Sequence, residues 1–256
     1  AGDEHLGGGA GADILGCGAG NDTVDYSGSS VGVTVALDGT VGSGGDAQGD
    51  QLISIETLIG SSLDDVLTGA AGNETIHGGA GDDIISGGSG DDILLGGGGD
   101  DILIGGAGAD TLIGGNGIDT ASYASASAGV AVSLDGSVGT GGEATGDTLT
   151  DIERLVGSAF DDVLGGGNAN DVILGGAGND RLLGSIGADI LDGGTGVDVV
   201  DYTASAGAVH VSLDGSLGTG GDAAGDQLIN IEGIIGSTLD DVLTGGNGAD
   251  MLDGGA

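Results

Sequence analysis

Residues 60–122 read GSSLDDVLT, GAAGNETIH, GGAGDDIIS, GGSGDDILL, GGGGDDILI, GGAGADTLI, GGNGIDTAS: one nine-residue unit written seven times. Position 6 of the unit is acidic throughout, as Asp65, Glu74, Asp83, Asp92, Asp101, Asp110 and Asp119. Position 8 is aliphatic in six units, as Leu67, Ile76, Ile85, Leu94, Leu103 and Leu112, with Ala121 the exception. A fixed short period marks an architecture in which a unit buries its apolar side chain only by stacking on its neighbours. The same register returns at residues 8–25, 157–201 and 236–253. It adds Asp13 and Asp22, then Asp162, Asp171, Asp180, Asp189 and Asp198, then Asp241 and Asp250 at the acidic position. Residues 2–7 are the tail of one more unit, with Glu4 acidic and Leu6 apolar.

The pattern G-G-x-G-x-D-x-U-x, with U an aliphatic residue, resembles the calcium-binding nonapeptide of the RTX (repeats-in-toxin) family. The resemblance implies an all-β fold, a right-handed parallel β-roll with two nonapeptides per coil. Six residues make a turn, three make a short strand, and units two apart stack about 4.8 Å from each other. It also implies calcium between the turns of adjacent coils, held by acidic residues 18 apart. Here those pairs are Asp65 with Asp83, Asp83 with Asp101, Asp101 with Asp119, Glu74 with Asp92 and Asp92 with Asp110. Asp162 with Asp180, Asp180 with Asp198, Asp171 with Asp189, and Glu4 with Asp22 complete the set. Two features depart from the family pattern. Glu4 and Glu74 replace Asp, and GSSL, GSAF and GSTL replace GGxG at 60–63, 157–160 and 236–239.

Physical chemistry points the same way. The aliphatic interior is one side chain thick, and carboxylates repeating every coil repel one another in register, so the coil needs a cation to close. Calcium takes six to eight oxygens from carboxylates and carbonyls in flexible geometry, whereas magnesium demands tight octahedral sites and gives up water reluctantly. A site in the 10⁻⁴–10⁻³ M range found in extracellular modules is worth about 4–5.5 kcal/mol at 1 M standard state. Only the excess of free calcium over Kd stabilises the fold.

Composition narrows the partners. The 256 residues include 65 glycines, no proline or tryptophan, and carry a net charge of −39. Nucleic acid and anionic membranes both require basic residues, and Arg154 and Arg181 are the only two here. No apolar run is long enough to span a bilayer. The single Cys17 replaces the first glycine of its unit and excludes an intrachain disulfide; it reads as a tolerated substitution.

Between the arrays (2–25, 60–122, 157–201, 236–256) lie three 34-residue inserts, 26–59, 123–156 and 202–235. Each opens on Tyr26, Tyr123 or Tyr202. The alternation Val31, Val33, Val35, Leu37 predicts a half-buried strand, and Asp38-Gly39 a turn after it. Leu52, Ile55 and Leu58, spaced by three, predict a strand broken by a bulge or a bend. The inserts therefore read as larger, calcium-poor coils of one continuous roll with no domain boundary.

Six Asp-Asp pairs, such as Asp82-Asp83 and Asp91-Asp92, sit in six similar turns. They lack the asymmetry that separates a general acid from a base, so no enzyme is expected. His5, His77 and His210 fall at unrelated positions, as surface residues. Ile84, Ile93, Leu95, Ile102, Ile104 and Ile113, at positions 7 and 9, read as an outward apolar stripe suited to lateral self-association or to neighbouring repeats.

The expectation is a calcium-folded structural segment of a larger RTX-like secreted or cell-surface protein: an adhesin, fibre or layer. It would be exported, as the resemblance implies, by type I secretion. The alternative is the non-catalytic accessory module of a secreted RTX enzyme such as a protease, lipase or alginate epimerase.

Overall fold

Position 8 decides the fold. Its side chains in the long array, Leu67, Ile76, Ile85, Leu94, Leu103, Leu112 and Ala121, are at most 1% exposed, and successive ones lie on opposite sheets. The computed structural model describes residues 2–255 and, among them, is built of short parallel strands with three single-turn 3-10 helices. Strand neighbours are 18 residues apart within an array: Leu94 pairs with Ile76 and Leu112, and Ile85 with Leu67 and Leu103. The chain is a parallel β-roll.

Two compact units are present, Ala1–Ala121 with Gly146–Ile152, and Ser122–Thr145 with Glu153–Ala256. In the first, a seven-stranded sheet runs His5–Leu6, Thr23–Asp25, Thr57–Ile59, Thr75–Ala80, Ile93–Gly98, Thr111–Asn116, Thr148–Thr150. Facing it are Thr34–Ala36, Val66–Thr68, Ile84–Ser89 and Ile102–Ala107, with Thr120–Ser122 where the units divide, and a separate pair, Ile14–Gly16 with Gln51–Ile53. In the second, a six-stranded sheet runs Ala131–Ser133, Val163–Gly165, Arg181–Leu183, Val199–Asp201, Gly233–Ile235, Met251–Asp253. Arg154–Val156, Val172–Ala177, Ile190–Thr195 and Gln227–Ile229 form its counterpart, with His210–Ser212 and Val242–Thr244 as a separate pair. Among the described residues no helix is long and apolar enough to cross a membrane.

Between its first and last strands, Val66–Thr68 and Thr120–Ser122, the long array has strands of six residues rather than three, running from position 7 through position 3 of the next unit, as in Ile93–Gly98. The glycines that look like turn residues carry the ladder onward: Gly97 pairs with Gly79 and Gly115. Position 2 does so at positive φ (Gly88 110°, Gly97 116°), a region open to glycine at no steric cost.

Each insert opens and closes a sheet. In the parallel ladder Thr34–Ala36 pairs forward, with Val66–Thr68, and Gln51–Ile53 backward, with Ile14–Gly16, while Ser43 bridges Thr34 in antiparallel sense. Ala131–Ser133 and Thr148–Thr150, and His210–Ser212 and Gln227–Ile229, repeat the arrangement. The spacing-three motif is a corner. Leu52 and Leu58 belong to different sheets, joined through Ser54 at φ 55°, with Ile55 buried at the bend. Asp151 and Asn230 take the same left-handed conformation, which Asn and Asp tolerate best among residues with a Cβ. The first insert strand is shorter than the alternation suggests, and Val31 is 56% exposed, outside it.

The apolar stripe divides in two. Consecutive units alternate sheets, so Ile84, Ile102 and Ile104 lie on one and Ile93, Leu95 and Ile113 on the other. Ile84 and Ile102 continue a file with Val66. Leu95, Ile104 and Ile113 are only half-exposed.

Candidate metal centres

The position-6 carboxylates form two buried ladders. Within an array, Oδ1 accepts a hydrogen bond from the backbone N–H of the acidic residue one coil earlier: Asp83 from Asp65, Asp101 from Asp83, Asp119 from Asp101, each at 2.8 Å. Asp65, Asp162 and Asp241, each following an insert, accept instead from Val33, Val130 and Val209. The alternate file gives Asp92 from Glu74 and Asp110 from Asp92, also at 2.8 Å. In the second unit Asp180 accepts from Asp162, Asp198 from Asp180, and Asp189 from Asp171, at 2.8–2.9 Å. Asp22 accepts from Glu4 at 2.8 Å. The side chains that the repeat spacing places 18 apart are therefore brought together.

The second oxygen separates two kinds of carboxylate. Oδ2 of Asp22, Asp83, Asp92, Asp101, Asp110, Asp180 and Asp198 is buried with no hydrogen-bond partner, as are those of Asp13 and Asp241. A buried anion left this way is costly unless a cation meets it. The first glycine of each unit shows where. A Cβ added at Gly87 would stand 2.3 Å from Asp92 Oδ2 and 2.7 Å from the Gly105 carbonyl oxygen; at Gly96 it would stand 2.2 Å from Asp101 Oδ2 and 2.7 Å from Gly114 O. Carboxylate and carbonyl oxygens converge on a space that only glycine leaves open, a donor set that fits a hard divalent ion.

Burial, with neighbouring carboxylates adding to it, pushes Asp83 up to about 7 and Asp92, Asp101 and Asp180 up to about 6. Asp110, Asp171, Asp189 and Asp198 are raised by burial as well.

In the other kind the chain supplies the partners itself. Asp65 takes the Ser61 hydroxyl at Oδ1 (2.9 Å) and the Ser61 N–H at Oδ2 (2.5 Å), and Asp162 does the same with Ser158 (2.8 and 2.6 Å). The serine that replaces the second glycine of the repeat thus fills the carboxylate. Asp241 lies between the two kinds: its Oδ1 has the hydroxyl of Ser237 at 2.8 Å, while its Oδ2 keeps no partner. Glu74 bends back onto the N–H groups of Ala70 and Gly72, Asp171 accepts from Gly167, Asp189 from the Ser185 hydroxyl, and Asp250 from Gly246.

Sequence reasoning missed the insert carboxylates. Asp50, Asp147 and Asp226 are at most 1% exposed and accept from the N–H of Asp13, Asp110 and Asp189, each at 2.9 Å and 37 residues away. Glu56 and Glu232 accept from Asp22 and Asp198. The signal was available: GDQL, GDTL and GDQL place Asp two residues before a buried Leu, as in the nonapeptide. The tyrosines that open two inserts complete these layers, Tyr26 donating to Asp50 Oδ2 at 3.0 Å and Tyr202 to Asp226 Oδ2 at 2.7 Å. Burial raises both phenols, keeping the proton on oxygen.

The Asp-Asp pairs diverge. Where position 6 accepts from the coil before, position 5 accepts from the coil after: Asp82 N–H donates to Asp64 at 3.0 Å and Asp100 N–H to Asp82 at 2.8 Å, on the exposed rim. His5 and His210 are exposed and His77 half-buried.

A family description, the RTX calcium-binding nonapeptide repeat (4 copies), matches residues 1–28, 59–94, 86–121, 147–182, 165–200 and 234–256. Curated proteins give no match.

Proposed function

The chain belongs to the RTX calcium-binding nonapeptide repeat family, and on that premise we propose that it is a structural segment of a secreted or cell-surface protein, an adhesin, fibre or surface layer, ordered by calcium outside the cell. The reading is carried by the files of buried Oδ2 atoms that face carbonyl oxygens and have no hydrogen-bond partner. Asp83, Asp92, Asp101 and Asp110 in one unit, and Asp180 and Asp198 in the other, would hold calcium with the carbonyls of the stacked glycines. Bound calcium supplies the positive charge that a chain of net charge −39 lacks and joins each coil to the next.

The chain's own residues do the rest. Position-1 glycines leave room for the ion, position-6 amides fix each carboxylate, and position-8 side chains fill the interior. We read the segment as structural and not catalytic, because the same arrangement of a buried and a rim carboxylate recurs in turn after turn and singles out no one site.

Circular dichroism during a calcium titration, with magnesium as control, tests the proposal. The expected result is a cooperative gain of β signal with calcium only. A chain fully ordered in excess chelator would refute it.

A further inference from the structure

Cys17 stands at position 1 of its unit, where every unit of the long array has glycine. That position is special in this fold: a side chain built on Gly78, Gly87 or Gly96 would run into the Oδ2 of its own unit's position-6 carboxylate, at 2.2–2.3 Å. The Cys17 side chain therefore enters the oxygen cradle of Asp22. Asp22 is 0% exposed, and its Oδ2 has no hydrogen-bond partner. Its Oδ1 accepts from the Glu4 N–H, and its own N–H donates to Glu56, so the carboxylate is held in place. One ligand atom each from Glu4, Cys17 and Asp22 lies within 4.8 Å of the others.

We propose that Glu4, Cys17 and Asp22 form a site for a thiophilic divalent cation of the zinc type. Calcium is hard and takes oxygen donors. One sulfur and two carboxylate oxygens, with a fourth position open to water, suit zinc or its surrogate cadmium. On binding, the thiol loses its proton to solvent as the sulfur–metal bond forms. The inference rests on the calcium reading for the folded chain in which the three side chains meet.

The test adds cadmium to the calcium-saturated chain and follows the ultraviolet thiolate-to-metal charge-transfer band, with zinc as competitor. We expect a band saturating at one equivalent and reversed by zinc. It should be absent in Cys17→Gly, which restores the repeat residue, and should need at least tenfold more cadmium in Asp22→Asn. Circular dichroism in calcium checks that both variants fold. No band in a calcium-ordered wild-type chain overturns the site and leaves the calcium reading standing. A band whose cadmium dependence is unchanged by Asp22→Asn and Glu4→Gln also overturns it, as a thiol acting alone. A chain already ordered in excess chelator counts against the calcium reading instead, and in that folded chain the band with its Asp22 dependence still decides the cadmium site.

Discussion

At the residue scale, glycine does two different jobs, and substitution separates them. Gly96 sits beside Asp101 Oδ2 and the Gly114 carbonyl, and an added Cβ would be 2.2 and 2.7 Å from them. Gly98, two residues on, has nothing within 4 Å of an added Cβ and no positive φ. Gly96→Ala should raise the calcium midpoint of folding severalfold. Gly98→Ala should leave it unchanged or add about 0.4–1 kcal/mol through the unfolded chain. Calcium titrations by circular dichroism read both. The two kinds of carboxylate divide in the same way. Asp101→Asn removes a ligand and should shift the calcium midpoint. Ser61→Ala, which strips a hydroxyl from the already satisfied Asp65, should cost about 1–3 kcal/mol in thermal unfolding at saturating calcium with little change in midpoint.

At the scale of the element, a ladder of carboxylates titrates as a stack. In the metal-free fold Asp83 is pushed up to about 7 and Asp92, Asp101 and Asp180 up to about 6, above the ordinary carboxylate value near 4. A group whose folded pKa is raised contributes stability that is complete below the unfolded value and lost as pH rises through the folded one. The calcium-free chain should therefore gain β signal on acidification from pH 8 to 4, with the change centred between 6 and 7. Protons and calcium compete for the same oxygens, so the calcium midpoint should climb as pH falls through that window. In the first and third inserts a phenol takes the ion's place. Tyr202→Phe strands the buried Asp226 Oδ2 and should cost about 1–3 kcal/mol, read by melting in saturating calcium.

The elements also show what the sequence made legible. Period, core position and insert boundaries could be read because position 8 is aliphatic in nearly every unit. The six-residue strands could not, since Gly96 to Gly98 look the same in a turn as in a ladder. Asp50 and Asp226 escaped notice because their partners lie 37 residues back, a spacing set by the first part of each insert, with its 3-10 turn at Gly45–Ala47 or Gly221–Ala223, and not by the period.

For the whole molecule, a charge of −39 opposes any compact state until cations bind. A disordered chain of this length has a radius of gyration of roughly 55 Å. Small-angle scattering without calcium should approach that figure, and millimolar calcium should contract it. Sodium chloride at 1 M, which screens beyond about 3 Å, should not reproduce the contraction, because screening provides no ligand bridge between coils. The inserts carry a further consequence. Thr34–Ala36 opens the sheet facing the seven-stranded one, whereas Thr148–Thr150 closes the seven-stranded sheet itself. An odd number of units lies between them, seven by sequence, so the first insert interrupts one side of the roll and the second the other. A gene that lengthens or shortens this array in steps of 18 codons keeps that phase. A step of nine flips the side on which everything downstream begins, so duplication and loss should leave their mark in even multiples of the unit.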